Sequence, residues 1–163
     1  MFKIRLLILL LINFFILSCS LKNQDDKTEI HRYSLAYIGG EYSGLTLKHY
    51  FDAHLKSSGL YDQNSNLEIR ANINHTENLY ITNKDNTSDR KNITSELKVN
   101  IFHKVKNCIT YSYSNNISQF YIFASADKYL SNSTAAENIK DSNTEALVQN
   151  FINRVQHLND ECA

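Results

Sequence analysis

Between Leu67 and Phe123 apolar and polar residues alternate with a period of two, and this restricts the chain to folds built on a sheet. Leu67, Ile69, Ala71 and Ile73 share one side, with Glu68, Arg70 and Asn72 on the other. Leu79-Tyr80-Ile81 extends that strand, and Asn83 to Ser88 forms a polar turn. Ile93, Ser95, Leu97, Val99, Ile101, His103 and Val105 alternate with Thr94, Glu96, Lys98 and Asn100. Lys106-Asn107 turns the chain into a last strand that starts with Ile109, Tyr111 and Tyr113, has a polar centre from Ser114 to Gln119 and ends near Phe123. Successive side chains of a strand point to opposite faces, so this pattern predicts antiparallel strands with one wet and one dry face.

The dry face needs a cover, and two helical segments can supply it. After an alternating stretch from Ile30 to Ile38, which carries Tyr33, Leu35 and Tyr37 on one side, Gly39-Gly40 breaks the strand. Ser43 is a candidate N-cap, because its hydroxyl can accept from an unpaired amide of the first turn. Leu47, Tyr50, Phe51, His54 and Leu55 then fall on one helical face, which Gly59 ends. At the other end Ala136, Ile139, Asn143, Leu147, Phe151, Val155 and Leu158 form an apolar stripe with one polar interruption. Thr134-Ala135-Ala136-Glu137 fits a capping box that would start this helix, with a weaker piece from Asp127 to Ser133 before it. The expected fold is α+β: two helices packed on one face of a four-stranded, mostly antiparallel sheet, in the order strand-helix-strand-strand-strand-helix.

The amino terminus gives the address. Lys3 and Arg5 precede a nearly unbroken apolar run from Leu6 to Leu17, and Ile16-Leu17-Ser18-Cys19 ends it. A span needs about 20 apolar residues, so this run is too short for a comfortable crossing and reads as a secretory signal. A small residue followed by cysteine resembles the lipobox of bacterial lipoproteins, in which Cys19 would receive the lipid. The division is then 1–18 as lipoprotein signal peptide, 19–29 as a lipidated flexible tether with Asp25-Asp26, and 30–163 as a single domain. An ordinary cleaved signal and an uncleaved anchor are the other two readings. Once Lys3 and Arg5 leave, the 17 basic residues no longer balance the 17 acidic ones. A slightly acidic chain has no bulk electrostatic attraction to nucleic acid, so no nucleic-acid partner is expected.

This order of elements behind a lipobox resembles the LPS-assembly lipoprotein family, LptE, in its alphaproteobacterial form. The similarity runs from the lipobox to Leu158. It includes the helix from Leu45 to Ser57, Arg90 opening the third strand in Ser88-Asp89-Arg90, and the closing helix with Ala136-Glu137, Ala146-Leu147 and Ile152-Asn153-Arg154-Val155. The segment after Cys19 departs from the family, with Ser20-Leu21-Lys22-Asn23 where Gly-Phe and a proline are common. The resemblance implies a non-enzymatic outer-membrane lipoprotein on the periplasmic face. Such a protein plugs a large β-barrel protein of the LptD kind and binds lipopolysaccharide through basic residues. Arg90 is the residue carried over as a candidate ligand contact. Ser20 after the lipidated cysteine resembles the sorting pattern for the outer membrane.

Catalytic equipment is not expected. The six histidines show no metal-ligand spacing, no nucleophile, zinc-protease or phosphate-loop motif occurs, and four glycines are too few for a phosphate cradle. No metal or other cofactor is implied. Cys108 and Cys162 remain. A strand of roughly 16 residues and an antiparallel helix of roughly 32 each span about 50 Å, which would bring Cys162 back near Cys108. A disulfide and two free thiols are the alternatives. The rival functional class is a periplasmic or surface lipoprotein that binds some other protein partner.

Overall fold

The computed structural model describes residues 31–38, 42–81, 89–122, 128–156 and 162. The signal segment, the tether with Cys19, Gly39-Gly40, the turn at Asn83 to Ser88, Phe123, Asp127 and Leu158 lie outside the described residues. The elements are β1 (Ser34–Leu35), α1 (Tyr42–Ser57), β2 (Leu67–Ile81), β3 (Asp89–His103), β4 (Cys108–Ile122) and α2 (Tyr129–Val155). The sheet order is β1-β2-β3-β4, with β1 parallel to β2 and the other pairs antiparallel. The architecture is the expected α+β arrangement of two helices and a four-stranded mixed sheet.

The alternation on β2 and β3 sets the two faces. Leu67, Ile69, Leu97, Val99 and Ile101 are buried beneath Leu47, Phe51 and Leu55 of α1 and Leu147, Val148, Phe151, Ile152 and Val155 of α2. Phe151 anchors this core, edge-on to Phe51 at 5.7 Å and tilted against Tyr113 at 5.4 Å between ring centroids. Gly59 ends α1 as expected. With φ +69 it places the Leu60 amide on the Leu55 carbonyl at 2.9 Å, and its own amide on that of Lys56 at 3.1 Å. The buried Leu60 closes the motif, so its first requirement is a residue without a Cβ at that φ.

Local readings are corrected at five places. β1 is two residues long, and Tyr37, expected inside with Tyr33, is 91% exposed. Tyr33 does enter the core, where burial pushes its hydroxyl up to about 12 and that hydroxyl donates to the Val155 carbonyl at 3.1 Å. Ser43 lies inside α1, which starts at Tyr42, so it is not the N-cap. The Thr134–Glu137 segment is likewise interior, because α2 starts five residues earlier at Tyr129, behind Lys128, which makes no side-chain cap. β3 stops at His103, and Val105 stands exposed in the turn that Asn107 closes at φ 54.

The fifth correction concerns β4. A bulge between the pairs Ile101–Tyr111 and Phe102–Ile109 leaves Thr110 without an opposite residue. One extra residue reverses the facing of everything before it. Ile109 therefore falls on the open face beside Phe102, whereas Tyr111 and Tyr113 face the helices.

Candidate functional site

The far end of the sheet, away from the Cys108 turn, carries the chemistry, and it differs on the two faces. Along the open face as a whole, pairs two residues apart on the same strand neutralise charges. Arg70 binds Glu68 at 2.8 Å and stacks over the Phe102 ring at 3.8 Å, and Lys98 meets Glu96 at 3.2 Å. Arg90, second residue of β3, is exposed on this face and forms no ion pair among the described residues. Its neighbour across the ladder is Ile122, 71% exposed, and the next pair brings up Phe120, 59% exposed. A cation beside two exposed apolar side chains can meet an anionic group that also carries hydrocarbon.

On the helix-covered face the core turns polar at the same end. Glu77 of β2 accepts from Lys91 of β3 at 2.6 Å and from the Tyr121 hydroxyl of β4 at 3.1 Å. These bonds hold the Glu77 carboxyl below, and the Lys91 ammonium above, their ordinary ranges. The first turns of α2 stand over this trio, contributing Tyr129, Asn132, Ser133, Glu137 and Lys140, and leave a cleft of about 390 Å³. A second hollow of about 210 Å³ adjoins it, sharing Glu137 and Lys140 and reaching Ser43, Thr46 and His75.

His75 links the cleft to the core. Its Nδ1 lies 2.8 Å from the Ser95 hydroxyl, which accepts from the Asn143 amide at 3.0 Å. Asn143 is fully buried, and its side-chain oxygen has no hydrogen-bond partner among the described residues. Leaving such an acceptor unsatisfied costs on the order of 1–3 kcal/mol, so the polar layer is not there for stability alone. Tyr50 donates to Asp141 at 2.9 Å and ties α1 to α2 beside the hollow.

Burial, and then the Lys140 ammonium, lower the His75 pKa. The sign follows. A base whose folded pKa lies below its unfolded value of about 6.5 binds its proton more readily when unfolded. Stability is therefore complete above about pH 6.5 and falls as the pH drops below it toward the folded pKa. Thermal midpoints measured from pH 7.5 to pH 5 should decline less steeply for His75→Gln than for the unaltered chain. Parallel curves would contradict this.

The sequence-derived sites fare differently. Cys19 lies outside the described residues. Arg90 is where the reading placed it, at the start of β3. Cys108 and Cys162 are joined by a disulfide with 6.0 Å between Cα atoms. His54, expected on the inward face of the first helix, sits at the edge of the core, stacked on Tyr50 and 4.0 Å from Glu145. Among the described residues no cluster of histidine, cysteine or carboxylate could hold a metal, and no helix is long and apolar enough to cross a membrane. The cleft went unread from sequence. Its available signal was Glu77 and Lys91, charged residues at positions that the alternation of β2 and β3 turns inward.

The fold has counterparts among solved structures. Rare lipoprotein B of Shewanella oneidensis matches with a TM-score of 0.59 at 9% identity, over 76% of this chain and 90% of that one. Lipoprotein B of Nitrosomonas europaea matches at 0.57 and 12%, over 78% and 83%. A minor lipoprotein of Acinetobacter baumannii matches at 0.54 and 12%, over 78% and 93%. No family model and no curated protein matches the sequence. At such identities the likeness is one of fold. That fold is found in bacterial lipoproteins.

Proposed function

We propose that this chain is an outer-membrane lipoprotein of the lipopolysaccharide assembly machinery. It is held to the periplasmic face by lipid on Cys19 and seated against a large β-barrel partner of the LptD kind. The observation that carries this reading is the joint occurrence of two features. One is a fold shared with rare lipoprotein B over most of both chains, and the other is a lipobox-like Leu17-Ser18-Cys19 after a short apolar run. The open face suits a plug. Its outward positions from Arg70 to Asn78, Thr94 to Lys98 and Ser112 to Ser118 are polar or paired, as a water-filled barrel lumen requires, while the helices keep the apolar core to themselves. No catalytic step is assigned to the protein.

Arg90, with Ile122 and Phe120 beside it, is the proposed contact to lipopolysaccharide, whose phosphate groups and acyl chains match a guanidinium next to apolar side chains. Reversing that charge in Arg90→Glu should weaken binding to immobilised lipopolysaccharide by roughly tenfold, about 1.4 kcal/mol. The thermal midpoint should stay unchanged, since Arg90 holds no partner within the described fold. Equal affinity for the variant would remove Arg90 from the site. The role itself is tested by depleting the protein in its own cell and labelling surface lipopolysaccharide. Newly made lipopolysaccharide should stop reaching the outer leaflet; undiminished surface labelling would refute the proposal.

A further inference from the structure

The polar cleft lies on the opposite face from Arg90, so the reading above gives it no task. Its existence runs against packing. Where a helix covers a sheet, apolar side chains are expected, yet the far rows place Glu77, Lys91 and Tyr121 beneath α2, which answers with Glu137 and Lys140. Burying charged groups, even in part, needs compensation, and an apolar layer would stabilise the domain at least as well.

We propose that this cleft binds a saccharide unit. Its volume of about 390 Å³ falls in the range of small-molecule sites. Its charge selects the ligand class. Lys91 and Lys140 are balanced by Glu77 and Glu137, so an anion would meet two carboxylates and a cation two ammonium groups. An apolar ligand would strand them all. A sugar hydroxyl both donates and accepts, so a polyol can serve carboxylate and ammonium side by side. The rings of Tyr121 and Tyr129 add the flat, half-apolar surface on which the C–H face of a pyranose packs. The site is also ordered in advance. Lys91 and the Tyr121 hydroxyl fix the Glu77 carboxylate from two strands, which lowers the entropy lost when a ligand arrives.

Two glycans present this chemistry outside the cytoplasm of a Gram-negative cell: the sugar part of lipopolysaccharide and the peptidoglycan strand. The test uses the full lipidated chain in a detergent that has no sugar headgroup. Dephosphorylated, lipid-free core oligosaccharide is titrated in one arm and N-acetylglucosamine oligomers in the other, with saturation-transfer NMR and calorimetry as readouts. Binding in either arm is expected and identifies the source. Lys140→Ala and Glu137→Gln, both on the helix surface, should each weaken it at least about fivefold, with the thermal midpoint moving by no more than about 2 °C. That separation of binding from stability distinguishes a ligand site from a structural polar layer. The assignment is overturned if neither sugar binds at millimolar concentration, or if the cleft variants bind as the unaltered chain does. It is overturned equally if Arg90→Glu, and not the cleft variants, abolishes binding. Because the sugars carry neither phosphate nor acyl chain, failure here leaves the Arg90 contact standing, and failure of that contact leaves the cleft standing.

Discussion

Replacing Cys108 and Cys162 together by serine should lower the unfolding free energy by about 4 kcal/mol and the thermal midpoint by roughly 10–15 °C. The disulfide closes a loop with a sequence separation of 54, and that loop contains all of β4 and α2. In the unfolded chain a cross-link of that length removes closure entropy, which is where most of its stabilisation arises in the chain-entropy account. In the folded chain it fastens the segment beyond α2 to the first residue of β4, next to the turn at Asn107. The double variant isolates the cross-link, because neither single variant leaves a bridge and each leaves a reactive thiol. Denaturation of both forms under non-reducing conditions measures the difference. A double variant as stable as the parent would contradict the assigned bond, as would alkylation of both cysteines in the native, unreduced protein. The bond also bears on the address, since such cross-links persist in oxidising compartments.

Phe151→Ala should cost about 3–5 kcal/mol, the range for removing a fully buried aromatic ring. The ring touches three elements at once: its own helix, Phe51 of α1 and Tyr113 of β4. Its loss leaves a cavity where both helices meet the sheet and removes two favourable ring-to-ring contacts, each worth about 0.5–1.5 kcal/mol. Phe120→Ala is the matched control. That ring stands 59% exposed on the open face, and its truncation should change stability by no more than about 0.5 kcal/mol. Urea unfolding of the two variants side by side gives the comparison. Equal losses would mean that the helix-covered face is not the core.

How far the fold could be read from sequence depended on whether its signal was periodic. The alternation through Leu67–Ile73 and Ile93–His103 identifies the strands and their inward faces, because one face of each is buried over most of its length. The stripe Leu47, Phe51, Leu55 and the helix stop at Gly59 are equally legible, being local matters of spacing and φ. Features that depend on tertiary pairing were not. Nothing near Thr110 announces a bulge, so plain alternation would put Ile109 on the face of Tyr111 and Tyr113. Tyr37 alternates correctly with Tyr33 and Leu35, yet pairing with β2 ends at Leu35, and beyond the last pair alternation predicts nothing. The capping box at Thr134 is a local preference that goes unused, because the helix already runs from Tyr129. The buried polar layer beside the cleft was hidden for a similar reason. Asn143 reads as one interruption in a stripe until Ser95 and His75 are placed opposite it by the fold.

The partnership with a barrel is the central claim, and one measurement addresses it. Outer membranes are extracted in mild detergent from cells that carry the tagged, lipidated chain at its natural level, and whatever is retained with it is identified by mass. The account expects a single large β-barrel protein recovered in near-equal amount. It also expects the complex to persist in Arg90→Glu, whose fault lies in the lipopolysaccharide contact rather than the fit to the barrel. Recovery of the chain without any such barrel, from cells shown to contain one, would contradict it.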